Sequence, residues 1–356
     1  MQIISDFYKD TQSIKPKPGS YEWWYFDVMS KEGYSLVVIF YDGNPFSRRY
    51  IEKLESKGET HASEFPAISI SLYKSGKPIF YSFEEVNPED ADFSKTQPFG
   101  RIGDNIFEGF FDNNELNYKV TLSQKLEDGS MLQGTVIFKS SLQDLSGITQ
   151  TENEINKNDH CWNLIMANSL VECNLHIRGG INEKIEFNGR GYHDHNTGDE
   201  PMKESFKEWY WGRYHIKNST LIYYLMAVDG DWKKKVWFID EAGNVSFLDQ
   251  KIEMSNQGYN LFGLKSARTF EFDGGGIQAF IQNDQVVDSG PFYQRFIGKL
   301  ILNRGGGLEQ AEGMSEYIYP SRIYSKVYWP LVNMRIKYPG KSHWVQRSQT
   351  LYRLTW

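Results

Sequence analysis

A short aromatic stretch decides the fold, and it reads Tyr21-Glu22-Trp23-Trp24-Tyr25-Phe26-Asp27. It leads into an apolar segment that ends at the turn residues Asp42-Gly43. A second stretch, Lys207-Glu208-Trp209-Tyr210-Trp211-Gly212-Arg213, leads into another apolar segment that ends at Asp229-Gly230. From the first Trp to the turn Asp the spacing is 42 − 23 = 19 residues in one copy and 229 − 209 = 20 in the other. This near-equal spacing predicts a duplicated unit.

Strands dominate the predicted secondary structure. Phe, Trp and Tyr make up 15% of the 356 residues and glycine contributes 31, a composition that suits pleated sheets with tight turns. Short apolar segments closed by Gly, Asn or Asp recur at 34–41, 68–73, 118–122, 132–138, 221–228, 236–239 and 296–302. The best helix candidate is 47–56, with Ser47 as its cap. We predict an all-β fold of two antiparallel β-barrels in tandem with few short helices, divided as domains 1–200 and 201–356.

Charge and composition exclude several classes of partner. Lys plus Arg minus Asp plus Glu is 39 − 46 = −7, which argues against a surface that neutralises nucleic acid phosphates. Cys161 and Cys173 are too few for a disulfide-stapled scaffold or a four-cysteine zinc site. The start of the chain lacks a basic and apolar leader, and no run approaches 18 apolar residues. We expect a soluble, cytoplasmic protein with no transmembrane segment and no nucleic acid partner.

The densest cluster of titratable groups lies in Gly191-Tyr192-His193-Asp194-His195-Asn196-Thr197-Gly198. In an extended strand the two histidines share one face, while Asp194 and Asn196 lie on the other. Two imidazoles on one face can exchange protons or bind a metal, but a metal needs a third ligand such as His160 or Glu208, which the sequence does not identify. We therefore predict no metal. The run marks either a catalytic site or a buried polar seam whose members hydrogen-bond one another.

Alternation along the first aromatic stretch places Glu22 on one face with Trp24 and Phe26. A carboxylate among aromatic rings has its charged form desolvated and its pKa raised, which would make Glu22 a usable general acid. An ion pair would instead keep the same carboxylate charged and structural. The sequence leaves both interpretations open.

Alternation along the second stretch places Trp209, Trp211 and Arg213 on one face. Aromatic rings beside a guanidinium suit stacking and cation–π contact, and aromatic walls also stabilise a developing carbocation. Core packing is the commoner use of such rings.

Nucleotide and nucleophile motifs are absent from the chain. There is no Gly-x-Ser-x-Gly, no Gly-x-x-x-x-Gly-Lys-Ser/Thr and no Gly-x-Gly-x-x-Gly after a strand. The glycine runs at 274–276 and 305–307 lie in a β context and predict turns or bulges. We predict no cofactor.

Four motifs together are similar to those of one known family. They are Glu22-Trp23-Trp24-Tyr25-Phe26-Asp27, Gly191-Tyr192-His193-Asp194-His195-Asn196 ending in Gly198, Trp211-Gly212-Arg213, and Gly313-Met314-Ser315-Glu316-Tyr317. The chain thereby resembles the carotenoid hydratase (hydroxyneurosporene synthase) and AttH-like family, which also includes fungal Diels–Alderases. The resemblance implies a pair of lipocalin-like β-barrels that enclose an apolar cavity, with cofactor-free chemistry on long hydrophobic molecules.

The site residues of the hydratases carry over only in part. Their activity is associated with a His-x-Trp in the histidine run and a Tyr-x-Asp on a following strand, whose Asp protonates the alkene. His195 fits the first motif, but Thr197 replaces its Trp. Tyr223 or Tyr224 fits the second, but Leu or Met follows two places on. Protonating an unactivated alkene needs a strong acid, and tyrosine, with a pKa of about 10, is a weak one.

We therefore predict a cofactor-independent cyclase or isomerase, with Diels–Alderase-type pericyclic chemistry among its options. Its substrate would be an elongated hydrophobic polyene, isoprenoid or polyketide, held in an aromatic-lined cavity between the barrels. The catalytic candidates are His195, Tyr224, Asn196 and Glu22, and the substrate-binding candidates are Trp24, Phe26, Trp209, Trp211, Arg213 and Tyr223. One alternative is a hydratase that uses Glu22, Glu208 or Asp194 as its acid, and another is a non-catalytic carrier of hydrophobic ligands.

Overall fold

Two curled, antiparallel sheets make up most of the protein. The computed structural model describes residues 2–15, 17–57, 60–140, 145–149, 160–179 and 182–355. The chain divides into two compact units, of which one combines the residues up to Met202 with Lys326–Thr355 and the other spans Lys203–Ser325. The sequence-based domains 1–200 and 201–356 stay a prediction; by its contacts, the segment Lys326–Thr355 belongs with the first unit.

The first sheet has twelve strands. They are β1 Gln2–Ile4, β2 Tyr21–Met29, β3 Tyr34–Tyr41, β4 Ala67–Lys74, β5 Lys77–Glu85, β6 Ala91–Phe93, β7 Phe99–Ile102, β8 Asn105–Asp112, β9 Glu115–Lys125, β10 Met131–Ser140, β11 Cys161–Arg178 and β12 Glu183–Gly198. Their order is β5-β4-β3-β2-β12-β11-β10-β9-β8-β7-β6, and β1 pairs in parallel with β11. The aromatic strand β2 therefore lies between its hairpin partner β3 and the last strand, β12.

The second sheet has nine strands and repeats this order. They are β13 Glu208–Ile216, β14 Ser219–Val228, β15 Asp231–Ile239, β16 Val245–Phe247, β17 Lys251–Tyr259, β18 Lys265–Gly274, β19 Ile277–Ser289, β20 Tyr293–Asn303 and β21 Leu308–Ile318. The order is β16-β15-β14-β13-β21-β20-β19-β18-β17. Again the aromatic strand, β13, lies between its hairpin partner β14 and the last strand of its sheet, β21. The two copies of the aromatic stretch thus begin two sheets of matching topology.

Each sheet buries one face in its own apolar core. Trp24 and Phe26 of β2 belong to the first core, together with residues from β3, β4 and β8–β12. Tyr210 and Tyr214 of β13 and Tyr223 of β14 belong to the second. Because side chains alternate along a strand, Trp23 and Tyr25 in the first unit lie on the opposite face of their sheet. In the second unit, Trp211 and Arg213 of β13 do the same.

Helices are few and short in the part of the chain that the structure describes. They are α1 Arg48–Lys57, α2 Met202–Ser205, α3 Trp329–Arg335 and α4 Gln349–Arg353, with single 3₁₀ turns elsewhere. The helix predicted at 47–56 is α1, and Ser47 caps it as expected, since its hydroxyl accepts a hydrogen bond from the Tyr50 N–H at 3.2 Å. None of the described helices is long and apolar enough to cross a membrane. The predicted fold class, all-β with two lipocalin-like antiparallel β-barrels in tandem and few short helices, is confirmed, with each predicted barrel present as a curled antiparallel sheet.

The C-terminal segment covers an edge of the first sheet. Strand β5 is terminal in the strand order. Lys337 continues the ladder there, because its N–H donates to the Phe83 carbonyl and its carbonyl accepts from the Glu85 N–H, both at 2.9 Å. An edge strand with free N–H and C=O groups invites pairing with other chains, and this bridge protects part of it.

Candidate active site

The histidine run lies on β12 and presents its residues alternately to the two faces of the first sheet. Register with β2 pairs His195 with Trp24 and His193 with Phe26. Both histidines therefore face the apolar core, while Asp194 lies on the opposite face. The histidine run thus has the two faces that alternation predicted.

His195 and Glu22 form an ion pair in the core of the first unit. The His195 Nε2 lies 2.8 Å from Glu22 Oε1, and both side chains are almost completely buried. Glu22 also accepts hydrogen bonds from the Ser13 N–H, at 2.9 Å, and from the Lys15 ammonium. The same ammonium lies 2.6 Å from Asp42. The N-terminal segment thus folds over β2 and delivers a cation to a buried carboxylate.

His193 is held in the same cluster by Asp10. Its Nε2 lies 3.0 Å from Asp10 Oδ2, and its Nδ1 donates to the Tyr25 carbonyl at 3.0 Å. Asp10 also accepts a hydrogen bond from the Tyr118 hydroxyl and lies 3.3 Å from His195 Nδ1. Both ring nitrogens of each histidine therefore face an acceptor.

Rings cover both histidines. Trp24 stacks on His195 at 4.5 Å between ring centres, and its other face meets Phe93 at 4.8 Å. Phe26 stacks on His193 at 3.9 Å. Packing and ion pairs together fix the orientation of β12.

Charges in this cluster stabilise one another against burial. Burial by itself would raise the pKa of Glu22, but the hydrogen bond from His195 and the charge of Lys15 outweigh it, and the pKa lies below its ordinary value. Burial would likewise lower the pKa of His195, yet Glu22 and Asp10 raise it. The sequence left Glu22 as either a general acid or an ion-paired carboxylate. In the structure it is ion-paired, and it carries no proton at neutral pH.

A second polar network lies on the opposite face of β12, around Asp194. Its Oδ2 accepts hydrogen bonds from the Trp162 indole N–H at 2.7 Å and from the Tyr192 hydroxyl at 2.6 Å. Its Oδ1 accepts one from the Asn196 amide at 2.8 Å. All four side chains are buried. Three neutral donors thus hold one carboxylate in a fixed position.

This network continues from Asn196 to Tyr21, the first residue of β2. The Asn196 Oδ1 lies 3.0 Å from His160 Nε2, and His160 Nδ1 lies 2.9 Å from the Tyr21 hydroxyl. Because the Asn196 oxygen can only accept, His160 Nε2 carries a hydrogen, and Nδ1 of a neutral ring then accepts from Tyr21. Gly198 makes room for that tyrosine, since a Cβ there would lie 2.2 Å from Tyr21 Cζ. The result is a continuous hydrogen-bonded path of side chains from Tyr21 to Tyr192.

In the second unit, Trp209, Trp211, Arg213 and Tyr224 lie on the face turned away from its core. Trp211 pairs with Tyr224 across β13 and β14, and Trp209 stacks on Tyr224 at 5.2 Å with ring planes 16° apart. Arg213 follows two places after Trp211 and is fully buried. We name these four side chains the aromatic–arginine face.

Tyr223 lies on the other side of β14, inside the second core. Its hydroxyl donates to Ser315 Oγ at 2.8 Å, and burial raises its pKa above the ordinary value. Glu208 accepts a hydrogen bond from the Tyr317 hydroxyl at 2.8 Å.

The structure thus sorts the predicted site residues into three groups. His195, Glu22, Trp24 and Phe26 form one cluster in the first core, Asn196 lies on the opposite face with Asp194, and the second unit contributes the aromatic–arginine face and Tyr223. Asp10, Lys15 and Trp162 also belong to these clusters, but the sequence did not predict them. Asp10 and Lys15 precede the first aromatic strand without any periodic pattern, and only the need of a buried histidine or glutamate for a partner could have pointed to them.

Among the described residues, no three or more His, Cys, Asp or Glu side chains are grouped so as to hold an ion.

Comparison with known proteins agrees with the fold and the motifs. The profile of one family, described as carotenoid hydratase CrtC, matches residues 108–347. A hydroxyneurosporene dehydrogenase from Chlorobaculum tepidum is 28% identical over 96% of this chain and 93% of its own length. An acyclic carotenoid 1,2-hydratase from Thiocapsa roseopersicina is 26% identical over 59% of this chain and 48% of its own length. Among solved structures, a putative AttH from Nitrosomonas europaea is similar in fold, with a TM-score of 0.62, 16% identity and coverage of 89% of this chain and 97% of that one.

Proposed function

The chain belongs to the carotenoid hydratase family CrtC, and from this premise we propose that it is an enzyme that cyclises or isomerises an elongated isoprenoid polyene. The single observation that carries the choice of reaction is the state of Glu22. Its carboxylate is held in its charged form by Lys15 and His195, and so it has no proton to give to an alkene.

The position that holds the acid in the hydratases also argues against hydration by this chain. By resemblance, the proton donor of the hydratases stands two residues after a tyrosine of the strand that follows the histidine run. On β14 those places hold Leu225 and Met226, both buried and without an ionisable group. Hydration of an unactivated alkene would therefore need another acid, whereas folding a polyene into a reactive shape needs none.

The aromatic–arginine face supplies the chemistry that such a rearrangement needs. In this proposal a flat conjugated chain, and the positive charge that develops along it, contact the buried rings of Trp209, Trp211 and Tyr224, of which Trp209 and Tyr224 stack on each other. The Tyr224 hydroxyl is a donor that can polarise an oxygen substituent of the substrate. We assign these residues to substrate binding and Tyr224 to catalysis.

In the first unit, we assign Asn196, in the network around Asp194, as a second hydrogen-bond donor to the substrate, in addition to Tyr224 of the second unit. One N–H of its amide is used by Asp194, and an amide group has two. His195 and Glu22, which lie across the strand in the core, act as positioning residues because they fix β12 and with it the network on the other face.

Product analysis in labelled water tests the reaction. The purified full chain is incubated with an acyclic carotenoid in H₂¹⁸O, and products are separated by chromatography and weighed by mass spectrometry. We expect a product of unchanged mass without labelled oxygen. Tyr224→Phe should lower turnover about 10²-fold, whereas Tyr214→Phe, which removes a hydroxyl from the core side of the neighbouring strand, should leave it nearly unchanged. Return of the carotenoid unchanged would refute the substrate class.

Hydration is the second candidate, and the family match itself favours it, together with the name of the Thiocapsa relative. The acid would then be Asp194, the carboxylate on the face opposite the first core, which would have to carry a proton while it accepts hydrogen bonds from Trp162, Tyr192 and Asn196. This candidate predicts one labelled oxygen per product molecule, and it predicts that Asp194→Asn abolishes the reaction while Tyr224→Phe only slows it.

A further inference from the structure

The C-terminal segment Lys326–Thr355 differs from the rest of the chain in charge. It contains six basic residues and no acidic one, namely Lys326, Arg335, Lys337, Lys341, Arg347 and Arg353. Since the whole chain carries −7, the remainder carries −7 − 6 = −13. A segment this basic on a chain this acidic does not arise from overall composition, and it calls for a local explanation.

Three of these cations are used inside the first unit. Lys337 pairs with Glu84 and Glu127, each at 2.9 Å, and so neutralises two carboxylates that contact the segment. Arg335 donates to the Thr355 carbonyl, and Arg353 donates to the Ile79 carbonyl at 2.8 Å. The contacts of Lys337 and Arg353 fasten the segment to the first sheet, whereas that of Arg335 lies within the segment.

The other three cations, Lys326, Lys341 and Arg347, are exposed. None of them forms an ion pair with a carboxylate within the part of the chain that the structure describes. Lys326 lies 5.5 Å from the ring centre of Trp329 and is itself exposed to solvent. The segment therefore presents positive charge outward.

Exposed apolar side chains accompany these cations. Val327 is 80% exposed, Trp344 63%, Leu351 39% and Leu354 76%. They belong to short elements that contact one another, since α3 touches both the 3₁₀ turn Lys326–Tyr328 and the 3₁₀ turn Trp344–Arg347, and the latter touches α4. Exposed apolar groups and exposed cations thus lie on or beside neighbouring short elements of one segment. We name these side chains the C-terminal patch: Lys326, Val327, Lys341, Trp344, Arg347, Leu351 and Leu354.

We propose that the C-terminal patch binds the surface of an anionic lipid bilayer. Such a surface offers negative headgroups above an apolar layer, and the patch offers cations beside Trp and aliphatic side chains, which is the combination that interfacial binding uses. A nucleic acid would satisfy the cations but leave the aliphatic groups in water. The role of this membrane binding rests on the proposed function, because the enzyme would draw a long isoprenoid polyene from the apolar layer of the bilayer.

Vesicle co-sedimentation with the full chain tests the proposal without any polyene, so that failure of the proposed function leaves its outcome unaffected. The probes are vesicles of phosphatidylcholine alone and of phosphatidylcholine with phosphatidylglycerol. We expect binding to the anionic vesicles that weakens with salt. Lys341→Glu combined with Arg347→Glu should weaken it by more than about tenfold, and Trp344→Ala by about fivefold or more. The charge-matched control, Lys95→Glu with Lys299→Glu, reverses two exposed cations outside the patch and should bind as the wild type does.

Circular dichroism of each variant verifies that it is folded. The proposal is overturned if the wild type ignores anionic vesicles, or if the patch variant binds them as tightly as the control variant. Equal binding to a DNA duplex and to the vesicles, with no effect of Trp344→Ala on either, would show a general phosphate-binding surface and would also overturn it.

Discussion

Replacing Glu22 by glutamine should destabilise the first unit by about 3 kcal/mol near pH 6. The change removes a buried charge that Lys15 and His195 both contact, and breaking a buried pair on one side costs roughly 3–5 kcal/mol. The lower end applies because both cations keep another partner: Lys15 keeps Asp42 at 2.6 Å, and His195 keeps Asp10 at 3.3 Å.

The loss should depend on pH in a defined way. The pKa of Glu22 is lowered in the folded protein, so its contribution is complete above its ordinary pKa of 4.5 and is lost as the pH falls through the folded value. The pKa of His195 is raised, so its contribution is complete below its ordinary 6.5 and is lost as the pH rises through the folded value. The gap between wild type and variant should be widest between those two ordinary values.

Native-state hydrogen exchange followed by mass spectrometry measures the gap locally, in peptides that cover β2 and β12. Glu89→Gln, the same change on an exposed residue, is the matched control and should alter stability by less than about 0.5 kcal/mol. A gap below about 1 kcal/mol near pH 6, or one that stays constant on acidification to pH 3, would refute the ion-pair account of this cluster.

Three further changes test other parts of the structure. Asp194→Asn should lower kcat about tenfold or more with little change in KM, because a single amide oxygen cannot accept from Trp162, Tyr192 and Asn196 together and Asn196 is no longer held in place; steady-state kinetics on the carotenoid measure both. Burial raises the pKa of Glu85 to about 7, so stability should fall by about 3 kcal/mol as the pH rises from 4.5 through that value, and urea unfolding of Glu85→Gln should show a flatter fall. Gly198→Ala should lower the free energy of unfolding by about 1–3 kcal/mol, and with it the melting temperature by several degrees, because the new Cβ would displace Tyr21. Gly306→Ala, where a Cβ meets nothing within 4 Å, should not.

Local patterns predicted the elements well, because periodicity and turn residues are local properties of a chain. The apolar segment at 34–41 is strand β3, Tyr34–Tyr41, and the helix at 47–56 differs from α1 by one residue at each end. The faces of β12 and β13 likewise followed from alternation alone.

Partners across the chain could not be predicted in the same way. Glu22 and His195 are far apart in sequence and meet only because β2 pairs with β12 in a register that sets Glu22 opposite Thr197. Asp10 and Lys15 lie outside any strand or helix, after the 3₁₀ turn Phe7–Lys9, and meet their partners only through ion pairs of the folded chain. Their ion pairs decided between the two roles left open for Glu22, and no periodicity signals such contacts.

The discontinuity of the first unit affects the order in which the nascent chain can fold. Everything in Lys203–Ser325 leaves the ribosome before Lys337 does, so the second sheet can assemble while the rim of β5 still lacks its bridge to Phe83 and Glu85. Until that bridge forms, newly made chains have an open strand rim through which they can associate with one another. Protection of the first sheet therefore comes late in synthesis, after an entire second sheet has been translated.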